Sequence, residues 1–298
     1  MMPAHLPPVP PAYCGSPVGG RIRSPDAAAV GTTAALRAQG MSAIGIGCAR
    51  IGSLSSAQST ETAQAMFELA AARGITLFDT AGIYGGGTSE QVVGRHANRH
   101  DGVFVMTKIG RHQSVVGRLA HSLKRWTKPL MGARARGVAR AVRQGNIQTD
   151  FSPLALQLAT QAAQRRLGGA RINALLLHSP PAEILAQPAT LQVLQSFKIH
   201  GSADWVGVSC DDLATLRVAA AAPAVDMVQM PLPLYQEGAR QGVVDRLIEQ
   251  NVAILLRGVL RDRGGSTPRD ALLAAGGLPG VSSVIVGVSS PDHLREIL

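Results

Sequence analysis

Four side chains in this sequence could together move a proton to or from a carbonyl oxygen: Asp79, Tyr84, Lys108 and His178. A phenol such as that of Tyr84 can give its proton to an oxygen that becomes negative as hydride arrives at the adjacent carbon. Its ordinary pKa of about 10 makes this transfer difficult near neutral pH. A neighbouring ammonium group, which Lys108 could supply, would lower that pKa.

The two remaining side chains could support this pair. Asp79 could hold the Lys108 ammonium in an ion pair and keep it charged in a partly desolvated pocket. His178 could hydrogen-bond to the carbonyl oxygen of a substrate and orient it, or relay a proton to Tyr84. These roles require a fold that brings together four positions that are far apart in the sequence.

The alternation of apolar and amphipathic runs predicts such a fold. From Met41 onward, runs of strand length alternate with runs of helix length, which is typical of repeated βα units around a parallel sheet. Eight strands are predicted, at residues 43–48, 75–79, 103–108, 174–178, 205–209, 227–230, 253–256 and 283–288. The helices are predicted to begin near Thr60, Ser89, Pro153, Pro188, Asp211, Glu237, Thr267 and Pro291.

Eight strands that are each followed by a helix close most naturally into a single (β/α)8 TIM barrel of the α/β class, with the active site at the C-terminal strand ends. A doubly wound open sheet is the alternative, but no Gly-x-Gly-x-x-Gly follows the first strand. Polar residues fall at or just past the ends of six predicted strands, which places them around one mouth. These residues are Asp79, Lys108, His178, Ser209, Gln229 and Arg257.

Several motifs in the chain resemble the aldo-keto reductase superfamily. They are the run ITLFDTAGIYG at residues 75–85, followed by Ser89-Glu90, Thr107-Lys108 and the Leu-Leu-Leu-His that ends at His178. Phe-Asp-Thr-Ala followed by Tyr-Gly at this spacing is highly specific, and the similarity extends from about Met41 to the C-terminus, apart from one insert. The resemblance places the catalytic Asp, Tyr, Lys and His of that family on Asp79, Tyr84, Lys108 and His178.

The same resemblance implies a cofactor, NADP(H), that lies extended across the barrel mouth, with NAD(H) as the alternative. Ser209 and Gln229 match positions that hold the nicotinamide carboxamide. Arg257 is a candidate for the pyrophosphate, because a guanidinium suits paired phosphate oxygens, or else an ordinary surface arginine. The family often has Asn after the serine, where this chain has Cys210.

The segment from Gly287 to Glu296 resembles the adenosine-phosphate site of the family, where a loop and a helix N-terminus receive the 2′-phosphate. The family usually continues with Asn, where this chain has Ile297, and this departure predicts weaker adenine binding. The candidate cofactor residues in the segment are Ser289, Ser290, His293, Arg295 and Glu296.

Two regions stand apart from the barrel pattern. Residues 1–40, rich in Pro and Gly, predict a flexible lead-in to a barrel that spans residues 41–298. Residues 111–148 form a basic insert, whose apolar residues have the spacing of an amphipathic helix beside the mouth; a solvated loop is the alternative. The insert could recruit an anionic substrate, an acidic partner protein or the cofactor phosphates. The apolar residues of this helix are Val115, Leu119, Leu123 and Trp126.

Composition narrows the function classes further. The chain has 298 residues, of which 46% are hydrophobic, and this suffices for one full-sized core. Most of the net charge of +10 lies in the insert, and no nucleic-acid recognition motif is present. Cys14, Cys48 and Cys210 match neither a disulfide framework nor a zinc pattern, so we expect free thiols and no metal site.

Without an apolar run of about 20 residues or a signal-peptide core, we expect no membrane association and a cytoplasmic location. We expect an enzyme that reduces an aldehyde or ketone, or runs in reverse. The alternatives are a catalytically weak cofactor-binding regulatory or scaffold protein and a barrel that works without the cofactor. The loops at residues 111–148 and 231–238 contain no motif that identifies a substrate.

Overall fold

The computed structural model describes residues 31–52, 59–113, 147–261 and 265–297. Eight parallel strands close into a barrel in the order β1-β10-β9-β8-β7-β6-β3-β2, which confirms the predicted architecture. β4 and β5 form a separate antiparallel ribbon. The strands are β1 (Ile44–Gly47), β2 (Leu77–Asp79), β3 (Phe104–Ile109), β4 (Arg111–Gln113), β5 (Ile147–Thr149), β6 (Ala174–His178), β7 (Trp205–Ser209), β8 (Met227–Pro231), β9 (Ala253–Arg257) and β10 (Val281–Gly287).

Helices fill the intervals between the barrel strands, and short 3-10 helices lie at Tyr84–Gly87 and Val259–Arg261. Side chains at Ser59, Ser152, Asp212 and Thr267 accept a backbone N–H at the start of four of the helices, as expected for N-caps. The helices are α1 (Thr32–Ala38), α2 (Thr60–Ala72), α3 (Thr88–Ala97), α4 (Pro153–Arg166), α5 (Ala182–Leu185), α6 (Pro188–Ile199), α7 (Leu213–Ala219), α8 (Leu232–Arg240), α9 (Val243–Glu249), α10 (Pro268–Gly276) and α11 (Pro291–Ile297).

The region after β8 differs from its prediction. We predicted a loop at residues 231–238 and a helix from near Glu237, but α8 begins at Leu232 and already contains Glu237. Pro231 precedes the helix in extended conformation and Pro233 lies in its first turn, where proline is compatible with a helix because the first N–H groups need no partner within it. The prolines therefore start this helix and do not mark a loop.

Both faces of the barrel strands are buried in apolar layers. Leu77 and Leu176 belong to the cluster that fills the barrel, whereas Phe78 and Leu177 belong to the layer between the strands and the helices. This explains why the strands are continuous apolar runs. Gly45 faces the interior, where a Cβ atom would lie 2.8 Å from the side chain of Leu77, so the first strand has no room for a larger residue there.

The helix α1 closes the end of the barrel at which the strands begin. Its Leu36 is fully buried in one cluster with Phe104 and Ala174, the first residues of β3 and β6. Arg37 donates hydrogen bonds to the backbone oxygens of Met41 and Ser282. Residues 32–38 are therefore helical and packed, which corrects the expectation of a flexible lead-in for this part; residues 1–30 lie outside the described residues.

The register of the sheet aligns the predicted site residues at the opposite end of the barrel. His178, Ser209 and Gln229 are side by side on β6, β7 and β8. Asp79 ends β2, and Lys108 is the penultimate residue of β3. In a parallel barrel these ends share one mouth, so the fold brings together residues that are far apart in the chain.

The basic insert begins and ends in the ribbon of β4 and β5, where Arg111 pairs with Thr149. The predicted amphipathic helix of the insert lies at residues 115–126, which are outside the described residues. Among the helices of the described ranges, none combines the length and apolar character required to cross a bilayer.

Candidate active site

The Lys108 ammonium lies at the centre of the mouth and contacts two of the other predicted residues. Its Nζ donates a short hydrogen bond to Oδ1 of Asp79 and another to the backbone oxygen of Thr80 at 3.2 Å. The same Nζ lies 3.4 Å from the Tyr84 hydroxyl. These contacts use all three donors of the ammonium, which is the condition for burying it. The ring of His178 stands edge-on to the Tyr84 ring, with centroids 5.9 Å apart.

A glycine-rich turn positions Tyr84. The backbone N–H of Tyr84 donates to the oxygen of Ala81, and the chain then continues through Gly85 and Gly86, whose φ angles are 57° and 64°. A Cβ atom on Gly85 would lie 2.4 Å from the backbone oxygen of Ile51. Only glycine satisfies both the left-handed backbone and this close approach, so the residue after Tyr84 is fixed by packing.

The Ser89-Glu90 pair of the sequence motif anchors the turn from below. The Ser89 hydroxyl lies 2.7 Å from that of Thr80 and donates to the backbone oxygen of Cys48. Glu90 is fully buried; it accepts a hydrogen bond from Thr107, the neighbour of Lys108, and forms an ion pair with Arg166. The motif therefore stabilises the elements that carry Tyr84 and Lys108 and does not itself contact the Tyr84 hydroxyl or Nζ of Lys108.

Burial, Lys108 and Asp79 together set the pKa of the Tyr84 phenol. Burial raises the pKa of Tyr84; Lys108 opposes this effect and Asp79 adds to it, so the pKa lies above its ordinary value. Lys108 thus lowers the phenol pKa, as expected, but not enough to offset burial and the negative charge of Asp79. Burial acts to lower the pKa of Lys108, but the negative charge of Asp79 and the contact with Tyr84 outweigh it and raise the pKa, so Lys108 is charged.

His178 is neutral in this environment. Burial lowers its pKa well below the ordinary value, and the positive charges of Lys108, Arg111 and Arg257 lower it further. A neutral imidazole offers one N–H donor and one nitrogen acceptor. It can therefore donate a hydrogen bond to a carbonyl oxygen, which agrees with the first of the two roles considered for it.

Unpaired buried atoms at the mouth indicate that it is built for a polar ligand. Five buried side-chain atoms within the described residues have no hydrogen-bond partner, and four belong to side chains at or beside the mouth. A buried polar atom without a partner is costly, so such a concentration is expected where a ligand completes the hydrogen bonds. The four atoms are Nε of Arg111, Oε1 of Gln113, Nδ1 of His178 and Nε2 of Gln229.

Ser209 and Gln229 form a pair that suits a carboxamide. The Ser209 hydroxyl donates to Oε1 of Gln229 at 3.3 Å, which leaves Nε2 of Gln229 as a free donor. A nicotinamide carboxamide has an oxygen that accepts from such a donor, so these residues fit that group. The neighbouring Cys210 is fully buried, and its backbone N–H donates to the backbone oxygen of Gln229.

The two arginines beside the mouth share one carboxylate. Arg257, the last residue of β9, forms an ion pair with Asp211, and its guanidinium lies 3.5 Å from the backbone oxygen of Cys210. Arg111 lies 3.6 Å from the other oxygen of Asp211. Asp211 and Gln113 were not among the predicted site residues, and Arg111 was assigned to the insert. The position of Arg111 three residues after Lys108 is the signal that could have indicated its place at the mouth.

The C-terminal segment, residues 289–296, satisfies most of its polar groups internally. Ser290 accepts the backbone N–H of His293, and the Ser289 hydroxyl lies 3.3 Å from Nδ1 of the same histidine. Arg295 pairs with Asp292 on the exposed side of α11, where Glu296 is also exposed. Ile297, which replaces the usual Asn, is buried in the apolar layer under the helices.

Together the fold and this group define the class of the protein: a closed parallel barrel with an Asp-Lys-Tyr-His cluster at its C-terminal strand ends. The model of the aldo/keto reductase family matches residues 43–267. The chain belongs to the aldo/keto reductase family. The resemblance inferred from the motifs is thereby confirmed.

The individual relatives of known name share less than a third of their residues with this chain. The chain is 29% identical over 223 residues to D-threo-aldose 1-dehydrogenase from Pseudomonas sp, a match that covers 73% of this chain and 65% of that protein. It is 25% identical over 219 residues to a fission yeast (Schizosaccharomyces pombe) aldo-keto reductase named for NADP(+), covering 72% of this chain and 56% of the relative. These matches therefore span less than two thirds of the length of either relative.

A solved structure shows the same fold. The aldo-keto reductase from Klebsiella pneumoniae in complex with NADPH superposes with a TM-score of 0.58 at 19% sequence identity, covering 86% of this chain and 84% of that one.

Proposed function

We propose that the protein is an NADP(H)-dependent oxidoreductase that interconverts an aldehyde or ketone and the corresponding alcohol, with Tyr84 as general acid and base. The observation that carries this proposal is the contact of one buried ammonium, that of Lys108, with both Asp79 and the Tyr84 hydroxyl. Phenol, ammonium and carboxylate in this order can hold a proton next to a developing alkoxide.

Each of the four residues has a role in the reduction. When bound, NADPH would supply the hydride. Tyr84 donates its proton to the carbonyl oxygen, and Lys108 stabilises the phenolate that remains at 3.4 Å. Asp79 keeps Lys108 charged and in place. His178, neutral and with one nitrogen unpaired, donates a hydrogen bond that orients the carbonyl oxygen. In the reverse direction the Tyr84 phenolate accepts the alcohol proton.

Cofactor binding is proposed for three groups of residues, with different structural support. The free Nε2 of Gln229, held by Ser209, fits the carboxamide. Arg257 is proposed for the pyrophosphate, where it would share its guanidinium with Asp211. The 2′-phosphate and adenosine are proposed to contact the C-terminal segment. Its residues proposed for this contact are Ser289, Ser290, His293, Arg295 and Glu296.

We propose further that the carbonyl substrate carries an anionic group. Nε of Arg111 is buried without a partner at the mouth, close enough for the positive charge of Arg111 to lower the pKa of His178. A carboxylate or phosphate beside the reacting carbonyl would complete the hydrogen bonds of this guanidinium. Since one relative is a D-threo-aldose 1-dehydrogenase, neutral sugars are the uncharged substrates to test beside the anionic ones.

The test is a fluorescence titration of the full-length protein with NADPH and with NADH, followed by turnover assays with carboxylated, phosphorylated and neutral aldehydes. Saturable NADPH binding together with turnover of at least one aldehyde supports the proposal. NADPH binding without turnover of any carbonyl or alcohol would favour the regulatory or scaffold alternative. The absence of binding by both nucleotides at high micromolar concentrations would contradict the cofactor assignment and favour a barrel that works without it.

A further inference from the structure

Three potential metal ligands converge on the outer side of the barrel, away from the residues of the mouth. Glu68 lies on α2, His96 in the last turn of α3, and His100 one turn further along the chain. The backbone N–H of His100 donates to the oxygen of His96 at 3.1 Å, so the helical path continues beyond the end of α3. The two imidazoles, four residues apart, therefore face the same side.

The two distances from the Glu68 carboxylate to the imidazoles are close to those between ligands of one ion. Oε1 of Glu68 lies 3.0 Å from Nε2 of His100 and 3.8 Å from Nδ1 of His96. The first distance is a hydrogen bond, but the second is too long for one. Two ligand atoms that are each about 2.0–2.1 Å from a tetrahedral Zn²⁺ lie about 3.3–3.4 Å apart. Both distances therefore approach the value that a common metal ion requires.

All three ligand atoms lie within 4.8 Å of one another, and within the described ranges no other group of three His, Cys, Asp or Glu side chains meets this condition. The imidazole rings of His96 and His100 are 4.4 Å apart at 33° to each other. Glu68 is exposed and His100 is half-buried, so neither side chain is fixed by complete burial.

His96 has the surroundings of an oriented ligand. Its ring is buried, with centroids 5.2 Å from Phe67 and 5.1 Å from Phe78, and these rings restrict its rotation. As an ordinary core histidine it satisfies neither nitrogen, because Nε2 is buried without a partner and Nδ1 is 3.8 Å from the carboxylate.

We propose that Glu68, His96 and His100 form a zinc site that ties α2 to α3. Two imidazoles and one carboxylate are a usual zinc ligand set, and the exposed side of Glu68 leaves the fourth position open to water. The cysteine-based sequence reasoning did not detect this site; the signal is the pair of histidines four residues apart at the end of a helix. The proposal does not depend on the function proposed for the barrel mouth.

The test is an equilibrium titration of untagged, chelator-treated full-length protein with ZnCl2, together with its melting temperature with and without zinc. We expect one saturable site per chain and a rise in melting temperature, because a metal that binds only the folded state stabilises it. His100→Ala and Glu68→Gln, both at accessible positions, are each expected to weaken zinc binding at least tenfold and to abolish the rise in melting temperature.

His200→Ala is the matched control, since His200 is an exposed histidine just after the end of α6. This variant is expected to bind zinc as the original chain does. If His100→Ala does not fold, Glu68→Gln decides the outcome. The site is ruled out if the original chain shows no saturable zinc binding, or if the variant that folds binds zinc as tightly as the original chain.

Discussion

The centre of the mouth and the C-terminal segment hold their charges in different ways. Asp79 and Lys108 are buried and bonded to each other, and Tyr84 lies against them. In the C-terminal segment the ion pair of Arg295 with Asp292 is exposed and local to one helix turn. Removing one partner of a buried ion pair is strongly destabilising, whereas an exposed ion pair contributes little to stability. The two regions should therefore respond very differently to substitution.

The largest combined effect on activity and stability is expected for Lys108→Met. This change removes the charge that stabilises the Tyr84 phenolate and leaves Asp79 buried without its partner. We expect turnover to fall at least about a hundredfold and the free energy of unfolding to fall by about 3–5 kcal/mol. Steady-state kinetics and chemical denaturation measure the two losses. An active and equally stable Lys108→Met protein would show that the buried pair has no special role.

The pH dependence of the reaction tests the environment of Tyr84 at the centre of the mouth. The pKa of Tyr84 is raised, so the phenol is protonated up to and beyond its ordinary value of about 10. Reduction requires the protonated phenol. The kcat/KM for reduction should therefore stay level below about pH 10 and fall by up to about tenfold per pH unit above the raised pKa of Tyr84. Alcohol oxidation requires the phenolate and should rise over the same range. A reduction rate that falls already between pH 7 and pH 9 would contradict the raised pKa.

Arg111→Met extends the comparison to the substrate. The loss of a charge-assisted hydrogen bond, worth about 1.5–3 kcal/mol, should reduce kcat/KM for a carboxylated aldehyde by about 10- to 100-fold. A neutral aldehyde of similar size should be affected much less, and it serves as the internal control. If the two substrates lose activity equally, Arg111 does not recognise the anion. If NADPH binding weakens instead, the guanidinium serves the cofactor phosphates.

The smallest effect is expected in the C-terminal segment, for Arg295→Gln. An exposed ion pair contributes about 0–1 kcal/mol, so we expect NADPH affinity to fall no more than about fivefold, with NADH affinity unchanged. The free energy of unfolding should change by less than about 0.5 kcal/mol. Parallel titrations with the two nucleotides measure the difference. If NADPH and NADH affinity fall equally, Arg295 does not contact the 2′-phosphate.

The sequence predicted those parts of the molecule in which the local pattern and the fold agree. Strands such as β6 and β7 have the predicted bounds, because buried parallel strands are continuous apolar runs with clear ends. The meeting of Asp79 with Lys108 was predictable because parallel strand ends share one mouth. The chemistry of a phenol suggested Tyr84 and the family resemblance supported it, but its position depends on a glycine turn at Tyr84–Gly87 that no strand or helix pattern predicts.

Other features depend on contacts that a sequence pattern does not contain. The packing of Leu36 under the barrel is a tertiary contact in a stretch that looks like a lead-in. The raised pKa of Tyr84 results from burial, which outweighs the lowering effect of Lys108 and is not visible in the sequence. The shared carboxylate of Asp211 requires two arginines from different strand ends, which only the closed barrel brings together.

The most direct test of the proposed chemistry is Tyr84→Phe, which removes the hydroxyl and keeps the ring that packs against His178. On the best carbonyl substrate found by screening, we expect kcat to fall by about 10²- to 10⁴-fold, while the Kd for NADPH stays within about twofold. That result would identify Tyr84 as the proton donor in a site that still binds its cofactor. A Tyr84→Phe protein that retains most of its kcat would contradict the account, because the proton would then come from another group.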